Sequence, residues 1–137
     1  MSKKSPMVLL ALAIIGVCFS IYYLALGFGF VAYDDPVYLL TNEGVRNFNL
    51  KQIFSPLAGA YSPLTFLSYA IEHSIVQLHP FLYHLTNLLL HVCNSLLAVY
   101  FTFKISKGNF LVAAFVGLLF AAHPLHVESV VSVSYTH

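Results

Sequence analysis

Charge is scarce in this sequence, and the scarcity decides its class. Only 8% of the 137 residues are Asp, Glu, Lys or Arg, while 59% are hydrophobic. A soluble domain carries roughly a quarter charged residues, so a water-soluble globular fold is excluded and the chain reads as an integral membrane protein. Net charge is only +1, and no basic cluster interleaved with aromatics occurs, which excludes nucleic acid as a partner. Cysteine is equally sparse. Cys18 and Cys93 both fall within apolar runs, lack the spacing of a metal or redox motif, and read as small buried packing residues. Internal repeats are absent as well.

Three apolar runs are present, at 7–31, 81–103 and 110–122. The first two exceed the roughly 20 residues that a bilayer-crossing helix needs. The third, at 13 residues, is expected to start near Ser106 with Lys107 snorkelling, giving a span at 106–122. The expected fold is all-α: a polytopic membrane protein of about three transmembrane helices, with a long external loop at 32–80 containing short amphipathic helices and an external segment at 123–137. Lys3 and Lys4 precede an apolar core that Ala25-Leu26-Gly27 could close as a cleavage site. The run is longer than a signal core, which favours a retained anchor. Lys3, Lys4, Lys104 and Lys107 are four of the six basic residues and fall on one side, which the positive-inside rule makes cytoplasmic, as is the N-terminus.

A loop of this length usually has structure of its own. Ser62 as cap and Pro63 as first helical residue open a helix whose stripe is Leu64, Leu67, Ile71, Ile75 and Leu78, stopped by Pro80, with His73 and Gln77 opposite. Such a helix is expected to lie along the interface or over the tops of the spans. A shorter helix is expected around 45–54, with Arg46 and Lys51 on a solvated face.

Four groups could carry chemistry. Asp34 and Asp35 lie just past the first span, where mutual repulsion and lost hydration raise a carboxylate pKa; Asp34-Asp35-Pro36 equally spells a helix-opening turn. His84, Asn87, His91 and Asn94 share one polar stripe of the second span, which must face protein or a water-filled cavity. Interhelical hydrogen bonding is one reading of it; the other has His84 and Asn87 lining a cavity under the loop. His123 and His126 have an i, i+3 spacing interrupted by Pro124, and Glu128 falls in the first turn of any helix that Pro124 opens. No metal ligand set is complete, and cofactors remain unknown, with a divalent metal left open.

Four blocks in register complete the reading: 30–35 (Phe-Val-Ala-Tyr-Asp-Asp), 61–68 (Tyr-Ser-Pro-Leu-Thr-Phe-Leu-Ser), 83–91 (Tyr-His-Leu-Thr-Asn-Leu-Leu-Leu-His) and 120–130 (Phe-Ala-Ala-His-Pro-Leu-His-Val-Glu-Ser-Val). Together they resemble the N-terminal membrane region of the TPR-containing transmembrane O-mannosyltransferase-like proteins and their bacterial relatives, of the glycosyltransferase C superfamily. The resemblance implies an inverting transferase that moves sugar from a polyprenyl-phosphate carrier to a protein or glycan acceptor on the non-cytoplasmic face. It implies an acidic residue just after the first span as the catalytic centre, Asp34 with Asp35 beside it, accepting the acceptor's proton; the stripe members His84 and Asn87, and His123, His126 and Glu128 at the same membrane face, are the candidate substrate-binding set. It places the protein in a bacterial inner membrane or, alternatively, the endoplasmic reticulum. Ser62 departs from the Arg or His that relatives often carry there. The resemblance lapses over 132–137, so the end at His137 reads as truncated or misread, and three spans are expected to be inactive alone. A different class of function, a small non-catalytic membrane scaffold or assembly subunit, has the His/Asn stripe bind partner helices while the aspartates cap a turn.

Overall fold

A computed structural model describes residues 4–30, 36–57 and 61–131, and every regular element among them is a helix. Helix α1, Lys4–Tyr22, tightens into a 3-10 turn over Tyr23–Gly27 and ends there, short of the expected Val31. A π-helical turn follows at Pro36–Leu40, then α2 at Glu43–Arg46, α3 at Leu50–Ile53, α4 at Pro63–Val76, α5 at Pro80–Ile105, α6 at Phe110–Ala122 and α7 at His126–Val131.

Among the described residues two stretches, Pro6–Gly27 and Pro80–Ile105, are long and apolar enough to cross a membrane. They are not the core helices of a soluble protein, because their large apolar side chains face outward: Leu12 is 60% exposed and Ile105 81%. An unbroken helix is the form such segments take in lipid, since it satisfies every backbone group internally.

One core joins α1, α5 and α6. Ile14 and Cys18 of α1 are fully enclosed, as are Ser95 of α5 and Ala113 of α6. Cys18 Sγ lies 3.8 Å from Ser95 Oγ. Cys93, expected to be buried, is exposed, because it sits on the side of α5 that turns away from its neighbours. The buried face of α6 is Ala113, Gly117 and Ala121, a small residue every fourth position, which lets two helix backbones approach closely. A Cβ on Gly117 would collide with Val99 Cγ2 and lie 3.3 Å from Ile14 Cδ1.

The expected extension of the third apolar helix back to Ser106 does not occur. Lys107 and Gly108 take positive φ angles of 55° and 86°, and Gly108 N–H closes on Phe103 O at 2.8 Å, the left-handed motif that ends a helix. Asn109 then caps α6, its Oδ1 accepting from Leu111 N at 3.1 Å and Val112 N at 3.2 Å. The helix is therefore 13 residues, roughly 20 Å long.

The segment between the long helices builds a second core from Tyr38, Leu39, Val45, Ile53, Phe66, Tyr69, Ala70 and Tyr83. In place of one helix over 45–54 there are two single turns, each opened by an asparagine: Asn42 Oδ1 accepts from Gly44 N at 2.9 Å, and Asn49 Oδ1 from Lys51 N at 3.1 Å. Phe48, with φ at 51°, breaks them apart. Arg46 and Lys51 are exposed. Helix α4 begins at Pro63 after Ser62 and ends at Val76, with Gln77 at φ 54° rather than Pro80 as its terminator. Its buried face is Phe66, Tyr69, Ala70 and Glu72, while the aliphatic stripe of Leu64, Ile71, Ile75 and Leu78 faces out.

Candidate functional site

Asp34 and Asp35 lie outside the described residues. Their flanks do not. Phe30 meets Tyr83 edge-on with ring centroids 5.6 Å apart, and Tyr38 stacks on Phe66 at 6.0 Å. The chain on either side of the aspartates is thus held against α4 and the start of α5.

The polar stripe of α5 divides. His84 and His91 are 1% and 6% exposed, whereas Asn87 is half-buried and Asn94 is exposed. The continuous buried face runs His84, Leu88, His91, Ser95, spacings of four, three and four residues that follow the helix more closely than the three, four and three of the expected stripe. Asn94 consequently points away.

His91 brings one of the other candidates, His126, to it. Its Nε2 is 3.1 Å from Ala121 O, at the end of α6. Its ring lies edge-on to Tyr22 at 5.2 Å, stacks on Phe120 at 5.9 Å and is 5.3 Å from the ring of His126. His126 in turn lies 5.9 Å from His123. The His123-Pro124 corner follows from local chemistry: Pro124 cannot continue the α6 hydrogen-bond ladder, and His123 Nδ1 accepts from Leu125 N at 3.3 Å. Burial, then the neighbouring His91 and His123, hold His126 below the usual imidazole range, which favours a neutral ring able to accept a proton. Glu128 sits in the first turn of α7 and is exposed. Among the described residues no three His, Cys, Asp or Glu side chains are arranged to hold a metal ion.

His84 does not join this group, being seven residues from His91, about 10 Å along the axis. Sequence reasoning missed a second buried polar residue, Glu72 of α4. This carboxyl is 7% exposed, one oxygen takes a hydrogen bond from Thr86, and Oε2 is buried with no partner among the described residues. Burial pushes its pKa above the carboxylate range, against a smaller lowering from Thr86. The overlooked signal was a second stripe on α4: Phe66, Tyr69, Ala70 and His73 also recur at helical spacing, and Glu72 falls among them.

The comparisons with known proteins agree with the four sequence blocks. Human protein O-mannosyl-transferase TMTC3 is 32% identical over 134 residues, covering 88% of this chain. Drosophila melanogaster protein O-mannosyl-transferase Tmtc2 is 34% identical over 143 residues, covering 95%, and human protein O-mannosyl-transferase TMTC2 is 40% identical over 74 residues, covering 54%. The chain is a relative of the TMTC protein O-mannosyl-transferases. It spans 14%, 15% and 9% of the length of those three proteins. No family model matches this TMTC relative, and no solved structure does. The relationship and the two long, outward-facing apolar helices together mark it as a membrane protein.

Proposed function

We propose that this chain contributes to the membrane-embedded catalytic region of a protein O-mannosyl-transferase, in which Asp34 is the general base. The observation that carries the proposal is the relationship to proteins named for that activity. The donor is a polyprenyl-phosphate sugar, and the acceptor is a protein hydroxyl on the non-cytoplasmic side. The acceptor oxygen attacks the anomeric carbon as Asp34 takes its proton, and the bond from that carbon to the lipid phosphate breaks with its electron pair leaving on phosphate. Attack and departure on opposite faces invert the anomeric centre. The anchoring of Phe30 and Tyr38 on α4 and α5 supports this role, because a base must be held within hydrogen-bond reach of its substrate. Asp35, by repulsion, helps to keep the pair basic enough to accept a proton. His123, His126 and Glu128 are assigned to the substrate on the same side of the membrane, with neutral His126 as a proton acceptor or hydrogen-bond partner.

The test is sugar transfer in membranes of cells expressing the protein from its own gene. Asp34→Asn removes the base and keeps the shape, so transfer should fall by at least about a hundredfold while membrane insertion is unchanged. Wild-type transfer rates in that variant would rule out Asp34 as the base.

A further inference from the structure

Helix α4 turns its aliphatic side out. Leu64, Ile71 and Ile75 are 77%, 46% and 69% exposed, at spacings that put them on one stripe, while the aromatic side is enclosed. In water this arrangement is backwards, since a row of large aliphatic side chains stays hydrated along one line; against acyl chains it is favourable. The stripe carries no charge. Glu72 is the only Asp, Glu, Lys or Arg of α4 and is buried, whereas the exposed Glu43, Arg46 and Lys51 lie on α2 and α3. The serines of α4 bond back to their own helix, Ser68 Oγ donating to Thr65 O at 3.0 Å and Ser74 Oγ to Ile71 O at 2.6 Å, so their donors are met without water.

The position of α4 beside α5 points to what covers the stripe. The chain turns back through Gln77, Leu78 and His79, and the contacts then run antiparallel: Tyr83 Oη donates to Gln77 O at 2.8 Å, Thr86 donates to Glu72, and Leu64, Thr65 and Ser68 line one depression with Asn87 and Leu90. Helix α5 has 26 residues, about 39 Å, against about 30 Å of hydrocarbon. With Lys104 snorkelling at the far boundary, the near boundary falls about 20 residues back, beside Leu85, and Leu90 lies about 8 Å inside it. Leu90 is itself 56% exposed, as are Leu89 and Leu97 in similar measure, on the surface that a spanning α5 presents to lipid. The first turn of α4 is therefore alongside Leu90, within the hydrocarbon, and its last turn is near Pro80, outside it. Pro63 in that first turn lacks the N–H that a helix start leaves unpaired.

We propose that α4 is inserted obliquely in the leaflet on the loop's side of the membrane, with Leu64 deepest and Ile75 near the headgroups, and that the acyl chains of bilayer lipids cover its aliphatic stripe as a continuation of the lipid-facing surface of α5. The helix neither lies flat along the interface nor sits over the tops of the spans. Because Phe66, Tyr69 and Ala70 of α4 belong to the second core, the insertion fixes the height of that whole unit against the bilayer. None of this rests on the transfer reaction.

The chain contains no Trp, so single Trp residues report depth without background. The 137-residue chain is reconstituted in phosphatidylcholine vesicles carrying bromine near the headgroup, at mid-chain or at the chain end, and Trp fluorescence is read with each lipid and with iodide in the water. Leu64→Trp, Ile71→Trp and Ile75→Trp sample the stripe; Leu97→Trp gives the depth of the span and Lys51→Trp the aqueous level. All of these positions are on outward faces, and Thr65→Trp and Leu78→Trp repeat the deep and shallow readings should either end variant fail to insert. Leu64→Trp should be quenched by bromine within the chains and be protected from iodide. Ile75→Trp should report a depth at least about 5 Å shallower, one helical turn, with Ile71→Trp between the two and Lys51→Trp quenched by iodide alone. Iodide quenching at Leu64 equal to that at Lys51 would place α4 in water and overturn the proposal. Equal depths at Leu64 and Ile75 would make the helix flat on the interface, and protection at both from bromine and iodide alike would mean that protein, such as a second copy of the chain, covers the stripe; either result overturns it.

Discussion

A carboxyl enclosed among aromatic rings and hydrocarbon holds on to its proton, and Glu72 makes that measurable. Its pKa is raised by burial, so the folded state binds a proton that the unfolded state has released at the same pH. The stability that goes with this is fully present below the ordinary carboxylate range and is lost as pH rises through the raised value. In detergent, the wild-type unfolding midpoint should therefore decline, as pH rises above the ordinary carboxylate range, by more than that of Glu72→Gln, which cannot ionise. Parallel curves for the two proteins would show that Glu72 is solvated after all. Such a residue is hard to find in a sequence, because one acid inside an amphipathic helix has the same spelling whether it faces water or a core. Asp34 and Asp35 stand out in the sequence for the opposite reason, as two adjacent acids beside a span, and they lie outside the described residues. His91 was visible too, but only the fold of α6 back along α5 brings His126 to within 5.3 Å of it.

Helix existence was legible where the apolar run alone decides it, as in α1 and α5, since length against bilayer thickness needs no tertiary information. Which face of a helix is buried was not. Helix α4 has an aliphatic stripe and an aromatic one at equivalent spacing, and the aromatic one is enclosed, against Tyr38 and Tyr83, leaving the aliphatic one outward. In α6 the apolar character is uniform, so periodicity is silent, and the packing face is marked by small size instead: Ala113, Gly117, Ala121. Gly117→Val should push Val99 and Ile14 apart and cost about 1–3 kcal/mol, read as a lower thermal midpoint in detergent. Leu118→Val, on the outward face at 40% exposed, should cost less than about 1.5 kcal/mol. Equal losses would mean that α5 and α6 are not in close contact through Gly117.

For the whole molecule, the proposed chemistry requires the loop between α1 and α5 and the segment after α6 to share one side of the membrane. Single cysteines test it in a Cys18→Ala, Cys93→Ala background. Lys51→Cys and Ser132→Cys should react with an impermeant thiol reagent added to the non-cytoplasmic face, and Ser106→Cys should be protected. Labelling at Lys51 with protection at Ser132 would separate the aspartates from the histidines and end the single-site reading. Span number was the least legible property of the chain, because the third apolar run is 13 residues, below the length at which hydropathy decides alone. That same shortness bears on how the protein is made. A helix of 13 residues joined to α5 by only Ser106, Lys107, Gly108 and Asn109 has little apolar length of its own, and its small-residue face packs on Val99 of α5 and Ile14 of α1. If α6 crosses the bilayer, as the proposed single site requires, it is expected to enter with α5 as one hairpin, with α5 held back while 106–122 is synthesised. At about 5–20 residues per second that delay is roughly 1–3 seconds, a window during biogenesis in which the outward face of α5 is unshielded and open to chaperones.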